Sequence, residues 1–145
     1  QKTVFRSQMQ IAMDIKKPII FHNRNAEKDM ISVLNEFPEV NGIAHCFSST
    51  LETAQSFLEQ GYYISFSGNL TFKNSHLPDV AKDIPLNRIL VETDCPYLSP
   101  DPYRGKTNEP GRVRLVAEKL ANIHSLPLEK IVDITSNNAT DIFQL

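Results

Sequence analysis

The sequence predicts an α/β fold built on a parallel sheet, and three observations carry that reading. Short apolar runs of strand length alternate with longer segments whose apolar residues recur at helical spacing. Such alternation implies right-handed crossovers and therefore parallel strands. Each of the four runs also ends in a polar residue: His22, His45, Ser67 or Asp94. In a parallel sheet the four ends lie on one rim, where α/β enzymes place their sites.

The elements follow in order. Residues 3 to 15 read as a helix through Val4, Phe5, Met9, Ile11, Ala12 and Ile15, and Lys16-Lys17-Pro18 breaks it. Ile19-Ile20-Phe21 is a buried-strand run ending at His22. A helix from about Ala26 carries Met30, Val33, Leu34 and Phe37 before Pro38 stops it. Gly42-Ile43-Ala44 is the second strand and ends at His45. Ser48, Ser49 and Thr50 offer N-caps for a third helix (Leu51, Ala54, Phe57, Leu58), which Gly61 closes. The third strand is Tyr62–Phe66. From Leu70 to Pro85 the pattern weakens, with a short helix expected over Leu77 to Lys82. The fourth strand is Arg88–Glu92. Pro96 stops it, and Pro100, Pro102 and Pro110 hold the next segment open as an ordered loop. A helix from about Arg112 to His124 follows. Two short helices, Leu128–Ile134 and Ser136–Phe143, are expected after it, separated by a cap at Thr135 or Ser136.

Composition narrows the function. With 145 residues and 41% hydrophobic content the chain reads as one domain with a real core. A net charge of −2 advertises no broad basic surface, so a polyanionic substrate would be held by a few local cations and a metal. The two cysteines, Cys46 and Cys95, suit a reducing compartment better than a disulfide framework. No signal peptide and no apolar run of membrane-spanning length is present. The expectation is a cytoplasmic location with no membrane partner.

Two imidazoles and a carboxylate on one rim have the composition of a divalent-metal site, with His22, His45 and Asp94 as ligands. Imidazole nitrogen suits Zn²⁺, Mn²⁺ or Fe²⁺, and a carboxylate also accepts Mg²⁺ or Mn²⁺. Either histidine alone would as readily be a structural hydrogen-bonder. Their shared placement with Asp94 favours the metal. His76 and His124 have no such placement and read as surface residues. Arg24 and Arg104 are candidates for gripping phosphate bidentately, or else solvated charges. Asn108, on the same loop, is a further candidate for substrate contact. Glu92 is expected to orient a histidine, or to be a salt-bridged strand acid. Cys46 and Cys95 adjoin proposed ligands and should point to the opposite face, where they would pack.

His22-Asn-Arg24-Asn-Ala26, His45-Cys46-Phe47-Ser48, Ser65-Phe66-Ser67-Gly68 and Glu92-Thr93-Asp94-Cys95-Pro96-Tyr97-Leu98 occur in this order. Followed by Arg104-Gly105-Lys106 and Asn108-Glu109-Pro110, they resemble the TatD family of metal-dependent deoxyribonucleases. The resemblance implies a (β/α)₈ TIM barrel of the metal-dependent hydrolase type, with His22, His45 and Asp94 as metal ligands and Asp94 essential to catalysis. It also implies DNA as partner, single strands or ends, cleaved exonucleolytically by a metal-activated water. Ser49 stands where the family has glycine, and Asn25 where it has an acid. The family's opening His-x-His strand and its metal-bridging Glu have no counterpart in this sequence. Residues 1–145 are thus expected to form the C-terminal portion of a single barrel domain, with a half-built site that binds metal weakly and cleaves DNA poorly alone. Its outer strands would then self-associate or pair with the N-terminal part. The alternatives are an amide or ester hydrolase on the same site, and a non-catalytic binding fragment.

Overall fold

Four short strands form one all-parallel sheet in chain order: β1 Ile19–His22, β2 Gly42–His45, β3 Tyr63–Phe66 and β4 Ile89–Val91. A computed structural model describes all 145 residues. Ile19 lies opposite Gly42 and His22 opposite His45, so the first two strands end level. A Cβ on Gly42 would sit 1.9 Å from the Ile19 carbonyl oxygen, which is why this strand start carries no side chain.

The helices are α1 Lys2–Ile15, α2 Glu27–Leu34, α3 Leu51–Glu59, α4 Leu77–Lys82, α5 Val113–His124 and α6 Leu128–Phe143. The Thr50 side chain caps α3 by accepting from the Thr53 N–H. The irregular stretch after β3 resolves into a 3₁₀ turn, Gly68–Thr71, and then α4. No helix is long and apolar enough to cross a membrane.

Strand alternation sorts the side chains into two sets. Phe21, Ala44, Ile64, Phe66 and Ile89 face the helices and join Met9, Val33, Phe57, Leu120 and Ile131 in the main core. Ile43, Tyr63 and Leu90 face the other way and meet Ile142 of α6. His22, His45 and Glu92 belong to this second set by the same alternation, one layer closer to the rim.

Helix α6 corrects the expected pair of short helices. Ile131, Thr135, Asn138 and Ile142 are all buried and keep the three- and four-residue spacing of one face, so packing carries the helix through. Thr135 does not cap anything: its hydroxyl donates to the Ile131 carbonyl at 2.9 Å, within the helix. The same helix tends the edge of β4. The Glu92 N–H donates to Phe66 O, so alternation turns the Ile89 carbonyl toward the open side. There the buried Asn138 amide donates to it, and to Leu86 O, at 2.8 Å each. On β1, Ile20 lies in register with Ile43 and is 56% exposed.

His124 is also corrected from a surface residue to a half-buried one. Its Nε2 is shut away from water with no hydrogen-bond partner. Burial pushes its pKa below the ordinary imidazole value, with a hydrogen bond to the Ala81 backbone pulling the other way. The unfolded chain therefore takes up this proton first, near pH 6.5, and stability is lost as pH falls below that value. His124→Gln is expected to flatten the fall in melting temperature between about pH 7 and 5.5. An unchanged slope would assign that fall to other groups.

Candidate metal centre

The centre is built where β2 and β4 end. His45 closes β2, and the chain then turns sharply through Cys46, whose φ of 46° lies in the left-handed region. Glu92 holds that turn by accepting the Cys46 N–H at 2.8 Å. The same carboxylate lies 2.7 Å from His45 Nδ1 and accepts the Ser65 hydroxyl at 2.6 Å. With three donors around it, Glu92 is fixed from β2 and β3 at once.

This arrangement orients the His45 ring. Nδ1–H donates to Glu92, which leaves Nε2 facing outward, 3.1 Å from Asp94 Oδ1. At that distance the two atoms share either a proton or a metal ion. Two ligands about 2.1 Å from one divalent ion lie about 3.0–3.4 Å apart at right-angled to tetrahedral geometry. The spacing fits. His45, Glu92 and Asp94 form a group whose ligand atoms all lie within 4.8 Å of one another and could hold a metal.

His22 shares the rim but not the group. Its ring centroid is 6.0 Å from that of His45, and its side chain is exposed one strand further out. Arg24, exposed beside it, lines an open cleft of about 470 Å³ with His22, Phe5, Ile20 and Met30. Arg104 lies over the Phe72 ring, 4.3 Å from its centroid, within the long loop. Asn108 sits inside the loop. It is 4% exposed, its amide donates to Tyr97 O at 2.8 Å, and its Oδ1 accepts the Glu109 N–H. These bonds spend the side chain on the loop's own backbone rather than on a substrate.

The cysteines divide. Cys46 packs as expected, buried, with its Sγ 3.1 Å from Ser67 Oγ. Burial pushes its thiol up to about 12, against the lowering hydrogen bond from Ser67. Cys95 is exposed instead. Strand alternation stops with β4 at Val91, and the Tyr97 N–H already turns back to Asp94 O at 2.8 Å.

Sequence reasoning missed Ser65 as a partner of Glu92. Its signal was a hydroxyl in an otherwise apolar strand. A second omission is the tie between the first two rim loops. Glu27 Oε1 accepts from Ser49 Oγ at 3.0 Å and from Asn23 Nδ2 at 3.4 Å. The backbone N–H at its own helix start, and then the Ser49 hydroxyl, hold the Glu27 carboxyl below the usual carboxylate range.

The family model described as TatD related DNase matches residues 1–144. The chain belongs to the TatD-related DNase family. This TatD chain is similar to the uncharacterized metal-dependent hydrolase YabD of Bacillus subtilis, with 45% identity over 148 residues, 100% of this chain and 58% of YabD. It is 42% identical to the uncharacterized metal-dependent hydrolase YcfH of Escherichia coli K12, covering 100% of this chain and 56% of YcfH. It therefore spans somewhat more than half the length of these relatives. Among solved structures, YjjV, a TatD homologue from Escherichia coli K12, superposes with a TM-score of 0.88 at 28% identity over 95% of this chain and 54% of YjjV. The four parallel strands and their helices are thus part of a TatD-type TIM barrel, and the implied cofactor is a divalent metal ion.

One variant tests the support given by Glu92. Glu92→Gln keeps the shape but offers a single acceptor oxygen to three donors and no charge to the imidazole. Mn²⁺ affinity by calorimetry is expected to fall about 10–100-fold, the usual cost of losing a group that orients a ligand. Unchanged affinity would make the Glu92–His45 contact incidental.

Proposed function

We propose that this TatD chain supplies the metal-binding and substrate-facing part of a hydrolase that cleaves DNA phosphodiester bonds, removing nucleotides from strand ends. The observation that carries the reading is His45, fixed by Glu92 with Nε2 turned to Asp94 at 3.1 Å. A divalent ion bound there would polarise the phosphoryl oxygen and lower the pKa of a water, so that it loses a proton to solvent and attacks as hydroxide. His45 Nε2 and Asp94 Oδ1 would hold the ion, and His22, on the same rim, would be a further ligand. Asp94 contributes the negative charge that neutral imidazoles lack. Glu92 keeps the His45 proton on Nδ1. Arg24, in the cleft beside His22, presents a guanidinium fork to a phosphate oxyanion. A few placed cations of this kind suit a chain of net charge −2.

Titrating Mn²⁺, Mg²⁺ and Zn²⁺ into the purified protein, and following end-labelled oligonucleotides with and without EDTA, tests the proposal. Metal-dependent shortening from one end, slow for residues 1–145 alone, is the expected result. Hydrolysis confined to aryl esters or amides would replace the phosphodiesterase by the second hydrolase reading. Metal binding with no hydrolysis of any of these would leave a binding fragment.

A further inference from the structure

We propose that Tyr97 is the platform on which a nucleobase next to the scissile phosphodiester stacks; this deepens the nuclease reading and rests on it. Tyr97 is 73% exposed, an unusual place for a large aromatic ring, and it stands three residues beyond Asp94. An exposed ring on a loose loop would mean little. This one is carried on a fastened backbone. The Tyr97 N–H donates to Asp94 O at 2.8 Å, and its carbonyl accepts the buried Asn108 amide at 2.8 Å. The Asn108 N–H in turn donates to Pro96 O at 2.9 Å. Arg112 ties the loop further on, donating from one guanidinium nitrogen to Ser99 Oγ and Thr107 O at 2.6 Å each.

A buried amide and a half-sheltered arginine thus spend their hydrogen bonds on holding still a backbone whose side chain stands in water. The fold gains no packing from that ring. A ligand would gain from it, because a ring with only two side-chain torsions on a held backbone loses little freedom on contact. The local charge indicates which ligand. Arg104 and Lys106, exposed on the same loop, lie over the rings of Phe72 and Tyr103 at 4.3 Å and 5.8 Å rather than against carboxylates. Their charges are free for phosphates flanking a base. Stacking of bases on aromatic side chains with cations along the backbone is how proteins hold single strands without reading their sequence. Asn108 then acts on substrate at one remove, as the residue that positions Tyr97.

The test uses oligonucleotides carrying 2-aminopurine at the terminal position, whose fluorescence is quenched by stacking. With EDTA present, the wild type and Tyr97→Phe are expected to quench it. Tyr97→Ala should lose the quench, bind roughly tenfold more weakly and melt at the wild-type temperature, since the ring is exposed. With Mn²⁺ present, replacing the terminal base by an abasic tetrahydrofuran should raise the wild-type KM roughly tenfold and leave that of Tyr97→Ala unchanged. Equal quenching by wild type and Tyr97→Ala, or an abasic penalty that persists in Tyr97→Ala, overturns the stacking role while oligonucleotide cleavage leaves the nuclease reading standing. A wild type that neither binds nor cleaves oligonucleotides ends both.

Discussion

Asp94→Asn is expected to remove at least ~99% of metal-dependent hydrolysis and to leave the fold intact. The carboxylate is about one-third exposed and its polar neighbour is His45 Nε2, so no core packing depends on it. Asparagine keeps the shape, and its NH₂ could donate to the His45 Nε2 lone pair, which makes the metal-free protein more comfortable. The metal-bound protein loses a negative ligand, and a water bound beside the ion loses much of its activation. The loss should exceed the ~10–100-fold cost typical of removing a group that merely orients a ligand. Calorimetric Mn²⁺ titration, oligonucleotide hydrolysis and melting temperature decide it together. Hydrolysis near the wild-type rate would make Asp94 a structural acid.

Gly68→Ala should unfold the protein at a markedly lower denaturant concentration. A Cβ at Gly68 would stand 1.9 Å from Leu98 O and 3.0 Å from Pro100 N. Both obstacles are backbone, so no side chain can rotate away. The same spot is sewn shut by the Asp101 N–H, which donates to Thr71 Oγ1 at 2.8 Å. Relief requires moving the loop that begins at Asp94, and overpacking of this kind costs about 3 kcal/mol or more. Gly111→Ala is the control, because nothing lies within 4 Å of a Cβ there. Equal midpoints for the two variants would show that the loop yields freely. If the stability loss appears, the loop displacement should also weaken Mn²⁺ binding, since Asp94 moves with Leu98.

Much of the architecture was legible because it follows from local periodicity. The Ile19–Phe21, Gly42–Ala44 and Ile89–Val91 runs are too short and too apolar for surface helices, and their polar ends mark the rim. Helix α6 was misread because Thr135 and Ser136 look like caps when taken alone. Only the buried line from Ile131 to Ile142 shows that packing outweighs that local preference. His124 failed for a related reason: nothing in its neighbourhood along the chain announces that its Nε2 will be enclosed.

By itself the sequence determined the parallel order, the rim, and the presence on it of His22, His45, Glu92 and Asp94, because strand period and strand ends are properties of a few consecutive residues. Which of those groups meet was decided by tertiary structure. Cys46 and Glu92 are 46 positions apart, and their hydrogen bond depends on how β2, β3 and β4 are staggered across the sheet. That stagger makes Glu92 the holder of His45, brings Asp94 to 3.1 Å from Nε2, and leaves His22 6.0 Å away between ring centres. The loop's own hydrogen bonds turn Asn108 inward, while Tyr97 stands outward. A loop's hydrogen bonds are settled by the carbonyls that the folded chain brings within reach, and the residue types along the loop do not reveal which those will be.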